Sequence, residues 1–384
     1  MSNALRILAV DVGTGTQDIL LFESDKTIEN CFQLIMPSPT VIMADRIKRA
    51  SAEGRALVLT GRTMGGGPCG WAARDHALAG FPVFATADAA RTFDDDLAMV
   101  EKMGVKIVNE PTAASLAERP ASVHLDLKDF DAAAIVAALR VFDVDPAVDA
   151  LAVAVFDHGA APPGVSDRLF RFNYIAETVQ RRPLPAAFAY QRETLPPDLT
   201  RLQAVAQSAA AYQRYANASD EAAQQPLPLL LMDTGSAAVL GTLDDPNVER
   251  EQESVLVNIG NFHTLAFHLL DGQIAGLFEH HTGELTQARL EELLRKLAAG
   301  TLTNSEVFDD SGHGALVLGN HHSSAFPFLA VTGPRREMLR GSALRPYEAV
   351  PHGAMMLAGC FGLLRAFADQ RPDLAARINA ALNN

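Results

Sequence analysis

The sequence predicts an α/β protein built as two similar lobes around a central cleft. Three observations carry this expectation. Apolar, strand-like runs alternate with helix-like segments over most of the 384 residues, and 48% of residues are hydrophobic, enough to bury large cores. The opening stretch, residues 5–36, reads as strand, Gly/Thr turn, strand, turn, strand. The same plan returns at residues 253–285, far along the chain.

The elements follow in order. "LRILAVDV" is a buried strand, "QDILLFES" a second and "TIENCFQLIM" a third, ended by Pro37 and Pro39. "TVIMADRIKRASAEG" is helix-like, and the strand "RALVLTG" runs into the glycine-rich loop 61–70. "GWAARDHALAG" reads as a helix closed by Gly80, and strand–helix alternation continues through "VKIVNEP", "AAAIVAALRVF" and "ALAVAVFDHG". Residues 160–228, rich in proline with one Ala/Gln helix, read as an elaboration or lid. Alternation returns at "PLPLLLMDTGSAAVLGTL", followed by the second strand–turn–strand unit. "TQARLEELLRKLAAG" places Leu290, Leu293, Leu294 and Leu297 on one helix face. The expected division is 1–159 for the first lobe, 160–228 for the lid, 229–350 for the second lobe and 351–384 for a helix returning to the first.

The formal net charge of −14 argues against nucleic-acid and anionic-membrane partners. No apolar run reaches 18 residues and the first residues lack a signal-peptide layout, so a cytoplasmic location is expected. Cys31, Cys69 and Cys360 show no CxxC spacing, which argues against an iron–sulfur set.

The turn "DVGTGTQD" raises the question of a phosphate loop. It lacks the lysine of a Walker A motif, and the strand after it excludes the dinucleotide fingerprint, which needs a helix there. A strand–turn–strand loop can still cradle phosphate. Gly13 and Gly15 let the backbone approach closely, and Thr14 and Thr16 add hydroxyls. Asp11 can orient a hydrated Mg²⁺.

The paired units resemble the sugar kinase, heat-shock protein 70 and actin superfamily, in which two ribonuclease H-like lobes clasp a nucleotide. "ILAVDVGTGTQDILLF" matches its first phosphate motif and "VLVNIGNFHT" resembles the second. The resemblance implies ATP and Mg²⁺ as cofactors. It implies nucleotide contacts from Gly13, Thr14, Gly15, Thr16 and Gln17, and from Asn258, Gly260, Asn261, His263 and Thr264. "MDTGSAAVLGTL" and "PHGAMMLAGCFGLLRA" correspond to the two connecting helices. "LAVTGPRREML", with Gly333 and Pro334, resembles the adenosine motif, a strand, a Gly turn and a helix. Asn258 replaces the superfamily's usual acid, and an amide neither charges a metal site nor acts as a base. The fragments "VNIGNFHT", "EHHTG" and "TGPRR" are also similar to an uncharacterised prokaryotic family at times labelled pyruvate formate-lyase activating enzymes. Such an activase needs a CxxxCxxC loop, which this chain lacks.

Four acids and one histidine are further candidates for chemistry: Asp11, Asp157, Asp233, Glu279 and His280. Asp157 ends a buried strand, where a general base for a hydroxyl would sit. Asp233 is placed to position water or magnesium, and Arg168 and Arg171 to clamp an anionic substrate. The backbone amides of Gly65, Gly66 and Gly67 are candidates for holding substrate. The histidines His263, His280, His281, His313, His321 and His322 crowd the last third, and a transition-metal site among them is one alternative. The favoured function is phosphoryl transfer to a small molecule or slow ATP hydrolysis. An ATP-dependent activator of a protein client, a nucleotide-binding scaffold without turnover and a metal-dependent hydrolase stay open.

Overall fold

The computed structural model describes residues 4–162, 164–216, 226–319 and 325–383. Strands β1 (Arg6–Val12), β2 (Thr16–Glu23) and β3 (Phe32–Pro37) form an antiparallel meander. The chain then leaves this sheet. β4 (Ala56–Gly61), β5 (Val83–Ala85), β6 (Val105–Ile107) and β7 (Ser122–Leu127) build a separate parallel sheet in the order β6-β5-β4-β7. This sheet has its own core around Ile47, Leu57, Leu59 and Val83. The chain returns through β8 (Ala150–Val155), β9 (Ala189–Gln191) and β10 (Leu229–Asp233), completing the order β3-β2-β1-β8-β10-β9.

The second large sheet repeats the plan. β11 (Glu253–Ile259), β12 (His263–Leu270) and β13 (Gln273–His281) form its meander, β14 (Gly314–Val317) extends one edge, and β15 (Phe328–Thr332) and β16 (Tyr347–Glu348) follow in parallel on the other. Its order is β14-β13-β12-β11-β15-β16. Without the edge strands β9 and β14, the two sheets share one strand order and one pattern of directions. That is a duplicated ribonuclease H-like lobe.

The central strands β1, β8, β10 and β11 are buried on both faces, so they read as nearly continuous apolar runs rather than alternating ones. In β1, Ile7 and Ala9 face a core shared with Phe267, Leu256, Ala237 and Phe361, while Leu8, Val10 and Val12 face a second core with Val153, Leu202 and Val205. The shared core includes the helices Thr234–Thr242 and Ala358–Gln370, which cross between the lobes. Their crossing is close. A Cβ on Gly241 would fall 1.8 Å from the Ala358 carbonyl oxygen, and one on Gly362 1.9 Å from that of Ala237.

Three expectations need correction. The described residues of 160–228, read as an elaboration or lid, pack into the first lobe rather than standing apart from it as a lid. Helix Asp167–Arg181 buries Phe172, Ile175 and Val179, helix Thr200–Ala209 buries Leu202 and Val205, and β9 pairs with β10. Of the prolines there, Pro185 opens a 3₁₀ turn and Pro197 lies in a turn. Position 229 does not open the second sheet, because β10 pairs with β8 in the first. After Gly333 the chain makes only a 3₁₀ turn, Arg336–Leu339, and Gly341 (φ +75°) redirects it.

Candidate functional site

Two hairpin tips face each other across the cleft, and they are made alike. In the first, the Gly13 amide donates to the Thr16 carbonyl at 2.9 Å, and in the second the Gly260 amide donates to the His263 carbonyl at 2.9 Å. Val12 pairs with Gln17 as Ile259 pairs with Thr264. The tips are in contact, since a Cβ on Gly15 would sit 2.8 Å from Asn261 Nδ2. Glycine at 15 therefore permits this approach.

The cleft is lined by Asp11, Gly13, Thr14, Gly15 and Thr16 from one lobe, and by Asn258, Gly260, Asn261 and His263 from the other. Thr234, Glu279, Gly333, Pro334 and Gly359 complete its walls. Gly333 has φ +97°, and a Cβ there would lie 2.5 Å from Asn258 Oδ1. Gln17 and Thr264 are not among the lining residues. Strand alternation turns both away, Gln17 donating to the Pro37 carbonyl at 3.0 Å and Thr264 bonding Thr282 at 3.0 Å.

Asp11 is buried at the floor and accepts a 2.5 Å hydrogen bond from the Thr234 hydroxyl. Burial, with the nearby Asp233 charge adding to it against the Thr234 bond, pushes its carboxyl up to about 7. Asp18 stands directly opposite on β2. Burial and the Asp11 charge push it up to about 8, and its Oδ1 has no hydrogen-bond partner among the described residues. A four-residue turn fixes that register, so Asp18 was readable from the hairpin, although no motif marks it.

The other expected acids are held by the protein. Asp157 accepts the Gly159 amide at 2.9 Å and the Leu202 amide at 2.8 Å, so it ties a loop to a helix start and presents no free base. Asp233 caps helix Thr234–Thr242 through Gly235 and Ser236. Its other oxygen accepts from Arg171 at 2.9 Å. Glu279 receives both other arms of Arg171, at 2.6 Å each. Burial favours a neutral Glu279, but the Arg171 guanidinium outweighs it and holds the carboxyl down to about 2. Arg171 is thus a buried tie between the lobes, stacked 3.9 Å from the Phe156 ring centre, and not a substrate clamp. Arg168 likewise donates to the carbonyls of Phe308 and Gly312.

His280 also departs from expectation. It pairs with Thr264 across the strands and is buried on the face away from the cleft, 3.5 Å from Asp310. Its neighbours on the cleft side matter instead. His263 stacks on Phe156 with centroids 4.0 Å apart, and burial keeps its imidazole far below the usual histidine range. His313 is lowered to about 4, by burial against the pull of Glu279. His321 and His322 lie outside the described residues.

A second cavity, of about 270 Å³, adjoins the cleft and shares Thr14, Phe156, Arg201 and His263 with it. The glycine-rich loop lines it through Met64, Gly65, Gly66 and Gly67. The Gly65 amide is already used, donating to Asp129 at 3.1 Å.

Duplicated ribonuclease H-like lobes, crossed helices and opposed hairpins define the actin-like ATPase fold, shared by ATPases and sugar kinases. Within it, the chain belongs to the family described as "Putative pyruvate format-lyase activating enzyme (DUF1786)", whose model matches residues 64–338. Similar solved structures include the ethanolamine utilization protein EutJ from Carboxydothermus hydrogenoformans, with 11% identity, covering 93% of this chain and 88% of that one at a TM-score of 0.32. The inorganic polyphosphate/ATP-glucomannokinase from Arthrobacter sp. strain KM has 11% identity, 95% and 99% coverage and a TM-score of 0.35. The ROK hexokinase from Thermus thermophilus has 11% identity, 94% and 98% coverage and a TM-score of 0.27. No curated protein matches the chain. Among the described residues no helix is long and apolar enough to cross a membrane.

Proposed function

We propose that the cleft binds ATP with Mg²⁺ and that the protein transfers a phosphoryl group to a small molecule or slowly hydrolyses the nucleotide. The observation that carries this is the pair of matched hairpins, closed by equivalent backbone bonds and meeting above Asp11. Mg²⁺ fits the floor, where two buried carboxylates lie opposite one another and one oxygen of Asp18 lacks a partner among the described residues. Bound Mg²⁺ would supply neutralisation of charge on the terminal phosphates. Thr14, Thr16 and the glycine-rich tips would position those phosphates, and Gly333 and Pro334, which line the cleft, would face the nucleoside. The adjoining cavity suits a small acceptor.

A second reading, a nucleotide-binding protein with little turnover, is favoured by the same residues. Asn258 replaces an acid, and Asp157, Asp233 and Glu279 are each engaged by amides or Arg171. Activation of a glycyl-radical enzyme through a bound cluster does not fit the donor set. Cys31, Cys69 and Cys360 are all buried and lie far apart in sequence. Calorimetry with ATP, with and without Mg²⁺, tests the main reading. We expect Mg²⁺-dependent binding, and no binding of ATP at millimolar concentration would reject it. Phosphorylation of a small-molecule acceptor would then separate the kinase from the low-turnover reading.

A further inference from the structure

We propose that His263, His281 and His313 form a binding site for one zinc-class divalent transition ion, built from different residues than the Asp11–Asp18 pair. The strands bring them together. His263 opens β12 directly opposite His281, the last residue of β13, and His313 immediately precedes β14, which pairs with β13 at Glu279. Their candidate ligand atoms all lie within 4.8 Å of one another.

The ring spacing matches a shared ion. Centroids are 5.2 Å apart for His263 and His281, 5.1 Å for His263 and His313, and 4.6 Å for His281 and His313. A tetrahedral ion bound to imidazole nitrogens at about 2.0–2.1 Å places ring centroids about 5 Å apart. Small rotations of the rings would bring the nitrogens inward.

The hydrogen bonds leave lone pairs to give. His281 Nδ1 lies 2.8 Å from the Ser311 carbonyl, which can only accept, so this nitrogen carries the proton and Nε2 keeps its lone pair. His313 Nδ1 is buried, has no hydrogen-bond partner among the described residues and lies 3.7 Å from Glu279 Oε2. A carboxylate behind a ligating imidazole is a common support for a bound metal. Charge agrees as well. The carboxylate nearest the three rings is Glu279, whose pull on His263 and His313 favours a bound cation, although Arg171 and Arg168 oppose it.

Three imidazoles favour a borderline ion over Mg²⁺, which prefers oxygen. His263 and His281 are partly exposed while His313 is buried, so an ion has a way in. His263 also lines the cleft, so the remaining coordination position is available to water or to an anionic oxygen of a cleft ligand.

The test uses the untagged full chain, stripped with chelator and titrated with Co²⁺ without nucleotide. Visible absorption reads the coordination, and Zn²⁺ competition reads the affinity. We expect one ion per chain and the intense bands of a tetrahedral site. His281→Ala and His313→Gln should each weaken binding by about 100-fold or more. His124→Ala, on the separate β4–β7 sheet, should leave it unchanged. The partly exposed His281 carries the test if the buried His313 variant does not fold. Failure of the wild-type chain to bind Co²⁺ or Zn²⁺ at micromolar concentration overturns the proposal, as does binding that survives loss of His281. No nucleotide is used, so this outcome is independent of ATP binding.

Discussion

Asp11 and Asp18 face each other across β1 and β2, two buried carboxyls with one hydroxyl apiece, Thr234 for Asp11 and Thr16 for Asp18. Burial raises both, and the Asp11 charge raises Asp18 further. Two such acids in one low-dielectric floor are costly when ionised and uncompensated, and a divalent cation reverses that cost.

This relationship gives a signed pH dependence. Asp18 has a folded value of about 8 against an ordinary 3.8. Below pH 4 both folded and unfolded chains hold the proton. As pH rises the unfolded chain releases it first, so this contribution to stability is lost progressively until about pH 8. Without Mg²⁺, Asp18→Asn should therefore melt higher than wild type at pH 8, by about 5 °C or more, and little differently at pH 4. Mg²⁺ should raise the wild-type melting temperature at pH 8 and not at pH 4. Scanning calorimetry of both proteins across this range checks it, and an equal Mg²⁺ effect on Asp18→Asn would contradict the pairing.

The crossing of the two inter-lobe helices gives a second expectation. A Cβ on Gly362 would overlap the Ala237 carbonyl at 1.9 Å, and backbone on both sides leaves no flexible tip to yield. Gly362→Ala should cost more than about 3 kcal/mol, beyond ordinary overpacking, and lower the melting temperature by about 4 °C or more. Gly283→Ala is the control, because a Cβ there meets nothing within 4 Å. Similar melting of the two variants would show that the helices separate easily.

The duplicated meander was legible because its strands are apolar throughout and its turns small, a pattern that survives without any partner in view. The first hairpin and the small residues of the crossing helices carried the site's location. What escaped depends on tertiary pairing. Arg171 read as a surface clamp because an arginine on an amphipathic helix usually is one, and its partners Asp233 and Glu279 lie 62 and 108 residues away. Asp157 read as a base because it ends a strand, but the amides that occupy it come from a loop and a helix with no sequence signal for that meeting. The separate β4–β7 sheet was also hidden. Strand–helix alternation looks the same whether it extends one sheet or begins another.

The chain's single tryptophan reports on the cleft. Trp71, half exposed on helix Gly67–Leu78, packs against Phe262 at the tip of the second hairpin with ring centroids 5.5 Å apart. That tip also meets the first hairpin, where a Cβ on Gly15 would sit 2.8 Å from Asn261 Nδ2. Nucleotide held between the tips is expected to shift the second one and with it Phe262, changing the surroundings of the indole. Saturable change in tryptophan emission is therefore expected on adding ATP with Mg²⁺, with the midpoint found by calorimetry. Phe262→Ala should start from a different emission and lose most of that change while still binding. Calorimetric binding with unaltered emission in the wild type would mean that the tips stay together and the nucleotide sits elsewhere.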